Sequence, residues 1–396
     1  MKQFTTLYFF ELKKIIGRKM TWVTIGAMLL LILAANVSGL FLKTASVDAN
    51  GEITYKSGYE EVIETKNASK EIAGRRIDED LLAEMKKAYD DMEIVSYDEE
   101  TDHQIFREIY HYVINYVGYE EVLDVDEEKL YQVRKDTVAE ENLYWKLDEA
   151  KLHYWDRQED KIEKPFIYEY KEGASLFFAR INLLSYLLIA LTAICLANFF
   201  GEEHVRRTDQ IILCSKHGKL PVYLARMAAG ITFGMGGTAL FYLVQLLVIL
   251  AVYGTDGFSC ALQLYLWMSS FPVSIGGAIL FLFFVSLAAA VVCSVAAMLL
   301  SEVLRSGVAA LATILAATLF TMFVEVPVRY GIISQIYGLA PARLLNESAF
   351  LDRRLFSIFG QYLTGLQMAP ILYLMAAVVL SGIGYRVYRV YQISGR

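Results

Sequence analysis

The chain has 396 residues, is 56% hydrophobic and carries a formal charge of −7. That apolar share exceeds the roughly 45–50% of ordinary soluble domains, and the acidic balance gives no footing for a nucleic-acid partner. The charge is unevenly placed: residues 43–172 hold 35 of the 44 Asp/Glu but only 18 of the 37 Lys/Arg, so an acidic insert interrupts a weakly basic, apolar body.

In chain order, residues 1–19 read as an amphipathic helix lying on a membrane surface. Phe4, Leu7, Tyr8, Leu12, Ile15 and Ile16 form its apolar stripe, and Lys13, Lys14, Arg18 and Lys19 can meet anionic headgroups. Residues 20–42 carry no charge and are long enough to cross the bilayer.

The insert, 43–172, reads as mostly helical. Leu81, Met85, Ala88 and Met92 keep helical spacing, as do Ile105, Ile109, Tyr112 and Tyr116. Thr101 with Gln104 resembles a capping box. A longer helix is expected from Asp126, with Leu130, Val133, Tyr144, Leu147 and Tyr154 on one face, ending before Pro165. The insert's 13 tyrosines fit either a modest core or a ligand surface.

Further charge-free runs cover 181–201, 227–255, 257–301, 306–324 and 355–385. In the fourth run of the chain, Pro272 and a milder start predict an interfacial segment and then one span. The whole is read as an all-α membrane protein with six transmembrane helices, an N-terminal interfacial helix and a helical insert. Transmembrane helices two to six occupy 173–396, with an outer re-entrant segment at 326–365. Gly230 and Gly234, extended by Gly237, are expected to pack inside the bundle.

Lys/Arg placement sets the orientation. The N-terminal basic cluster, the 202–226 loop, Arg305 and the C-terminal arginines fall on one side, while the short loops opposite hold only Arg329, Arg343, Arg353 and Arg354. Both termini are therefore expected to be cytoplasmic and the insert extracellular.

No phosphate-binding GxxxxGK[ST] occurs, nor HExxH, GxSxG or a zinc-spaced Cys/His group, so no catalytic, cofactor or metal site is expected in this chain. His103 and His111 read as surface residues. Asp98-Glu99-Glu100 and Asp124–Glu128 lack the pattern of a calcium loop. Cys195, Cys214, Cys260 and Cys293 lie in or beside spans and offer no disulfide framework.

The loop EEHVRRTDQIILCSKHGKLPVYLAR (202–226) is the most specific feature. Its acid pair Glu202-Glu203, Thr208, the triplet Ile211–Leu213 and the late basic Arg226 resemble the permease subunits of type-2 ATP-binding-cassette exporters, in a branch with a large domain after the first span. Arg207 stands where that family has Gly, and Lys216-His217-Gly218-Lys219 replaces its Pro-containing turn.

The resemblance implies a coupling loop (201–221) that docks on a separate ATPase through Glu202, Glu203, Arg206, Arg207, Asp209, Lys216, His217 and Lys219. It also implies ATP and Mg bound by two copies of that ATPase, a second permease chain, and a bacterial plasma membrane. The cargo is expected to be peptide-, antibiotic- or lipid-like. Arg180, Glu325 and Arg329 are candidate path or interface charges, although Arg180 can snorkel outward and Glu325 can pair with Arg329 at i,i+4. Other readings are a membrane-anchored sensor, a mechanotransmission-type permease with four spans, and a secondary transporter, for which the matched repeats are missing.

Overall fold

The computed structural model describes residues 2–47, 53–90, 101–200 and 220–390. Helix α1 (Lys2–Ile16) leads into α2 (Lys19–Val37), which a 3-10 turn extends to Phe41. Strands β1 (Lys43–Val47) and β2 (Ile53–Ser57) pair antiparallel at the entrance to the insert. The insert continues as α3 (Gly58–Ile72), α4 (Glu79–Asp90), α5 (Thr101–Val117), α6 (Glu127–Tyr144) and α7 (Glu149–Glu159).

Next come α8 (Glu172–Ala179) and α9 (Ile181–Leu196), joined end to end at Arg180, then α10 (Leu220–Val252), α11 (Ile275–Leu304) and α12 (Gly307–Phe323). Short helices α13 (Ile332–Gly338) and α14 (Pro341–Leu344) and the hairpin β3 (Leu355–Ile358)/β4 (Gln361–Thr364) precede the final helix α15 (Gly365–Val390).

Lys19–Phe41, α8–α9 taken together, α10, α11 and α15 are each long and apolar enough to cross a membrane. Six spans were expected; among the described residues there are these five and the shorter apolar α12, of 17 residues. Helix α11 is the hub, packing on α9, α10, α12 and α15. Its buried Ala288, Ala289, Ala290, Ser294 and Ala297 let the neighbours approach closely. From α10, Gly234 meets this surface so tightly that a Cβ would lie 2.2 Å from Ser294 Oγ, and one at Gly237 would lie 2.2 Å from Leu191 Cδ2 of α9. The small-residue motif packs within the bundle, as expected. Asn36 of α2 and Gln245 of α10 exchange two amide hydrogen bonds, 2.7 and 2.9 Å, so neither buried polar side chain is left unpaired.

The insert buries Ile77, Leu81, Leu82 and Met85 against Ile109, Val113, Leu130 and Phe166. Ser57 opens α3 with a complete capping box: its hydroxyl accepts from Glu60 N, and Glu60 accepts from Ser57 N at 2.8 Å. Tyr112, Tyr168 and Tyr170 are core, whereas Tyr55, Tyr59, Tyr119 and Tyr144 are exposed. Met92 and Asp98-Glu99-Glu100, and the side chains of Thr101, His103 and Gln104, lie outside the described residues.

Two expectations are corrected. The long insert helix is two helices: Lys146 adopts φ 50°, and Asp148 caps the second by accepting from Lys151 N at 3.0 Å. Its buried face is Leu130, Arg134, Val138 and Asn142, while Tyr144 is exposed. The chain is not purely α, because residues 355–364 turn back as a hairpin through Phe359 and Gly360, both at positive φ.

Candidate functional site

Glu202, Glu203, Arg206, Arg207, Asp209, Lys216, His217 and Lys219, together with Cys214, fall within 201–219, outside the described residues. The two ends of that loop are described, and both are anchored. On the leading side Phe199 and Phe200 are buried, and Phe200 N donates to Ser301 Oγ of α11 at 3.3 Å. Lys14 and Arg18 sit over the Phe199 ring at 5.5 and 5.8 Å.

On the trailing side Arg226, 1% exposed, lies over the Phe200 ring and donates to Glu11 Oε1 of α1 at 3.3 Å. A buried guanidinium needs such a partner, because desolvation otherwise penalises its charge heavily. Tyr8 donates to Thr232 Oγ1 at 3.1 Å, one more tie between α1 and α10. Tyr223 of α10 packs its ring at a tilt on Tyr385 and Tyr388 of α15 and donates to Ser381 O. Four helices thus converge where the loop departs. Helix α1 is more than a surface stripe, since its inward face carries Glu11 while Phe4, Phe9, Phe10 and Ile16 are exposed.

At the opposite end the insert grips the segment between α10 and α11. Arg134 of α6 is 1% exposed; it pairs with Glu159 of α7 at 3.1 Å and donates to Ser269 O at 3.0 Å and to Trp267 O. From the segment before β3, Arg353 donates to Asn142 Oδ1 at 2.8 Å, Met268 O at 3.0 Å and Ser270 Oγ at 3.1 Å. Trp155 Nε1 closes the arrangement by donating to Arg353 O at 3.0 Å. Residues 267–270 are therefore held between two guanidinium groups. Burial pushes the Arg353 pKa down to about 10, against the opposing pull of Glu141 and Glu159. Burial also raises the Glu159 carboxyl, but Arg134 and Lys164 outweigh it and leave the group below its ordinary value.

None of Arg134, Asn142 or Trp155 stands out in the sequence. The one available signal is the four-residue spacing Leu130–Arg134–Val138–Asn142, in which two polar residues sit on a buried stripe.

Of the remaining candidate charges, Arg180 is exposed at the α8–α9 junction. Glu325 and Arg329 do not make the i,i+4 pair, because α12 ends at Phe323, before Glu325; Arg329 instead lies over the Tyr330 ring at 5.2 Å. Among the described residues no three His, Cys, Asp or Glu side chains gather as a metal site.

A family model described as ABC-2 family transporter protein matches residues 18–379. No curated protein and no solved structure matches the chain. With that match running over nearly its whole length and its apolar helices long enough to cross a membrane repeatedly, the chain belongs to the ABC-2 transporter family, as a multi-pass membrane permease that works with a separate ABC ATPase.

Proposed function

We propose that this chain is the permease subunit of an ATP-driven exporter in a bacterial plasma membrane, with six spans, both termini cytoplasmic and residues 43–172 outside. Helix α12 serves as the fifth span. Its 17 residues reach about 26 Å, a few Å less than the hydrocarbon core, a shortfall that local thinning accommodates. Two such chains enclose the path, and two ATPase subunits bind ATP and Mg. The cargo is a peptide-, antibiotic- or lipid-like amphiphile.

The observation that carries this reading is the anchoring of both ends of the 201–219 loop. A loop that pushes on a bundle needs stiff attachment, and Phe200–Ser301 and Arg226–Glu11 supply it to α11, α10 and α1. Closure of an ATPase against Glu202–Lys219 then moves these helices together. The test is whether a neighbouring gene encodes an ABC ATPase and whether that protein co-purifies with this chain. Charge reversal at Glu203 and Arg207 is expected to release that ATPase while the permease stays folded. Retained pairing in the double reversal would refute the docking role. Thiol labelling near Tyr110 and Lys216 tests sidedness, and the two positions are expected to react from opposite sides.

A further inference from the structure

A cavity of about 360 Å³ opens where the insert meets the bundle, lined by Trp145 of the insert, Tyr186 of α9, Met322 of α12, Arg343 of α14 and the nearby Leu351 and Arg354. Its size lies within the range of small-molecule sites, and no element of the proposed coupling machinery uses it.

Its polar lining is unbalanced towards donors. The Trp145 indole N–H is buried and has no partner among the described residues, although such a group normally finds one. Arg343 donates through one nitrogen to Thr321 O at 3.1 Å and Val324 O at 2.7 Å, capping the end of α12. No carboxylate pairs with it among the described residues, and its other guanidinium nitrogens have no hydrogen-bond partner there. Arg354 differs: Asp352 accepts from its Nε at 2.9 and 3.0 Å and neutralises it. The Arg343 guanidinium lies over the Tyr337 ring at 5.2 Å, so the site carries a positive charge with no carboxylate partner among the described residues, and a spare indole donor. Asn346 Oδ1, a lining acceptor, is already taken by Ser348 Oγ at 2.5 Å.

The apolar lining comes from the end of a membrane-length run: Met322 belongs to the last turn of α12, whose Leu319, Phe320 and Phe323 are exposed. Leu344, Ala349 and Leu351 complete it. A donor-rich, cationic mouth beside a lipid-facing helix end matches a molecule with an anionic, acceptor-bearing head and an apolar tail.

We propose that this cavity binds the phosphodiester head of an anionic amphiphile, supplied by the outer leaflet. Trp145 and Arg343 donate to the head, and the end of α12 receives the first carbons of the tail. Only the choice of leaflet rests on the sidedness proposed above; the binding itself does not.

The test uses the full chain in phosphatidylcholine nanodiscs and tritiated dihexanoyl phosphatidylglycerol as probe, with dihexanoyl phosphatidylcholine and inorganic phosphate as competitors. Saturable binding is expected, displaced by neither competitor at equal concentration. Trp145→Phe keeps an aromatic six-membered ring but removes the N–H, and is expected to weaken binding about tenfold or more. Leu351→Trp fills the cavity and is expected to abolish binding. Equal displacement by phosphatidylcholine would overturn the charge argument, and equal displacement by phosphate would overturn the amphiphile. Unchanged binding in Trp145→Phe would overturn the site, and that variant decides the matter even if Leu351→Trp fails to fold. A labelling result that reversed the sidedness would leave these readouts as they are and change only the leaflet.

Discussion

Replacing Arg134 by Met tests the grip between insert and bundle. The substitution keeps most of the volume and removes the charge. Trp267 O still accepts from Tyr116 OH at 3.0 Å, and Ser269 O from Gln263 Nε2 at 3.2 Å, so neither carbonyl is orphaned. The main loss is the partner of Glu159, which retains Lys164 at 2.8 Å. Breaking a buried pair costs about 3–5 kcal/mol, and the surviving lysine places this case near 3. That corresponds to about a hundredfold increase in local opening. Amide hydrogen exchange across 262–275, measured on the full chain in detergent, should rise by that factor while exchange in the core of α11 stays unchanged. Adding Glu159→Gln should recover part of the loss, because the stranded charge is then gone. Exchange within threefold of the parent would refute the assignment of Arg134 as the link.

The Glu159 carboxyl is held below its ordinary value of 4.5. A depressed folded-state pKa contributes stability that is fully present above the unfolded pKa and fades as pH falls through the folded one. Protection of residues 267–270 should therefore drop below about pH 4.5, and Arg134→Met, which leaves Lys164 on Glu159, should weaken that dependence. Glu11→Ala removes one charged partner of Arg226 and is expected to destabilise the loop end by about 1.5–3 kcal/mol, read as loss of monodisperse protein on gel filtration. Gly234→Val forces a Cβ to within 2.2 Å of Ser294 Oγ and should prevent folding, whereas Gly236→Ala meets nothing within 4 Å and should leave the melting temperature unchanged or slightly raised. A double-mutant cycle on Asn36 and Gln245 should give a coupling of about 0.6 kcal/mol, with 1.7 as the ceiling; a coupling of zero would mean the amides do not pair.

The membrane helices were legible because a charge-free run in hydrocarbon has one way to satisfy its backbone, so composition alone located α2, α10 and α11. The rule weakens at the edges. Residues 355–364 are as free of charge as a span, yet Phe359-Gly360 reverses the chain, and a charge-free run does not record a turn. Within the insert, apolar spacing found α4 and α5 but misassigned the face of α6, because Arg134 and Asn142 are buried against carbonyls and an amide-seeking guanidinium rather than against methyl groups. Glu11 was hidden in the same way, a charge on an inward stripe whose partner lies 215 residues further on. Coupling residues 202–219 rest on the loop pattern, since pairwise contacts between distant segments leave no periodic trace.

The pair of guanidinium groups around residues 267–270 has a practical corollary for anyone producing the 43–172 segment as a soluble antigen or crystallisation target. Cut free, that fragment would hydrate Arg134, Asn142 and the Trp155 indole, which in the intact chain meet peptide groups or Arg353. Antibodies raised on it would recognise a face that the assembled permease never displays. Excising the fragment would in turn leave Met268 to Ser270 and Arg353 without their native company, so a phenotype from such a truncation would report a damaged bundle rather than a missing receptor.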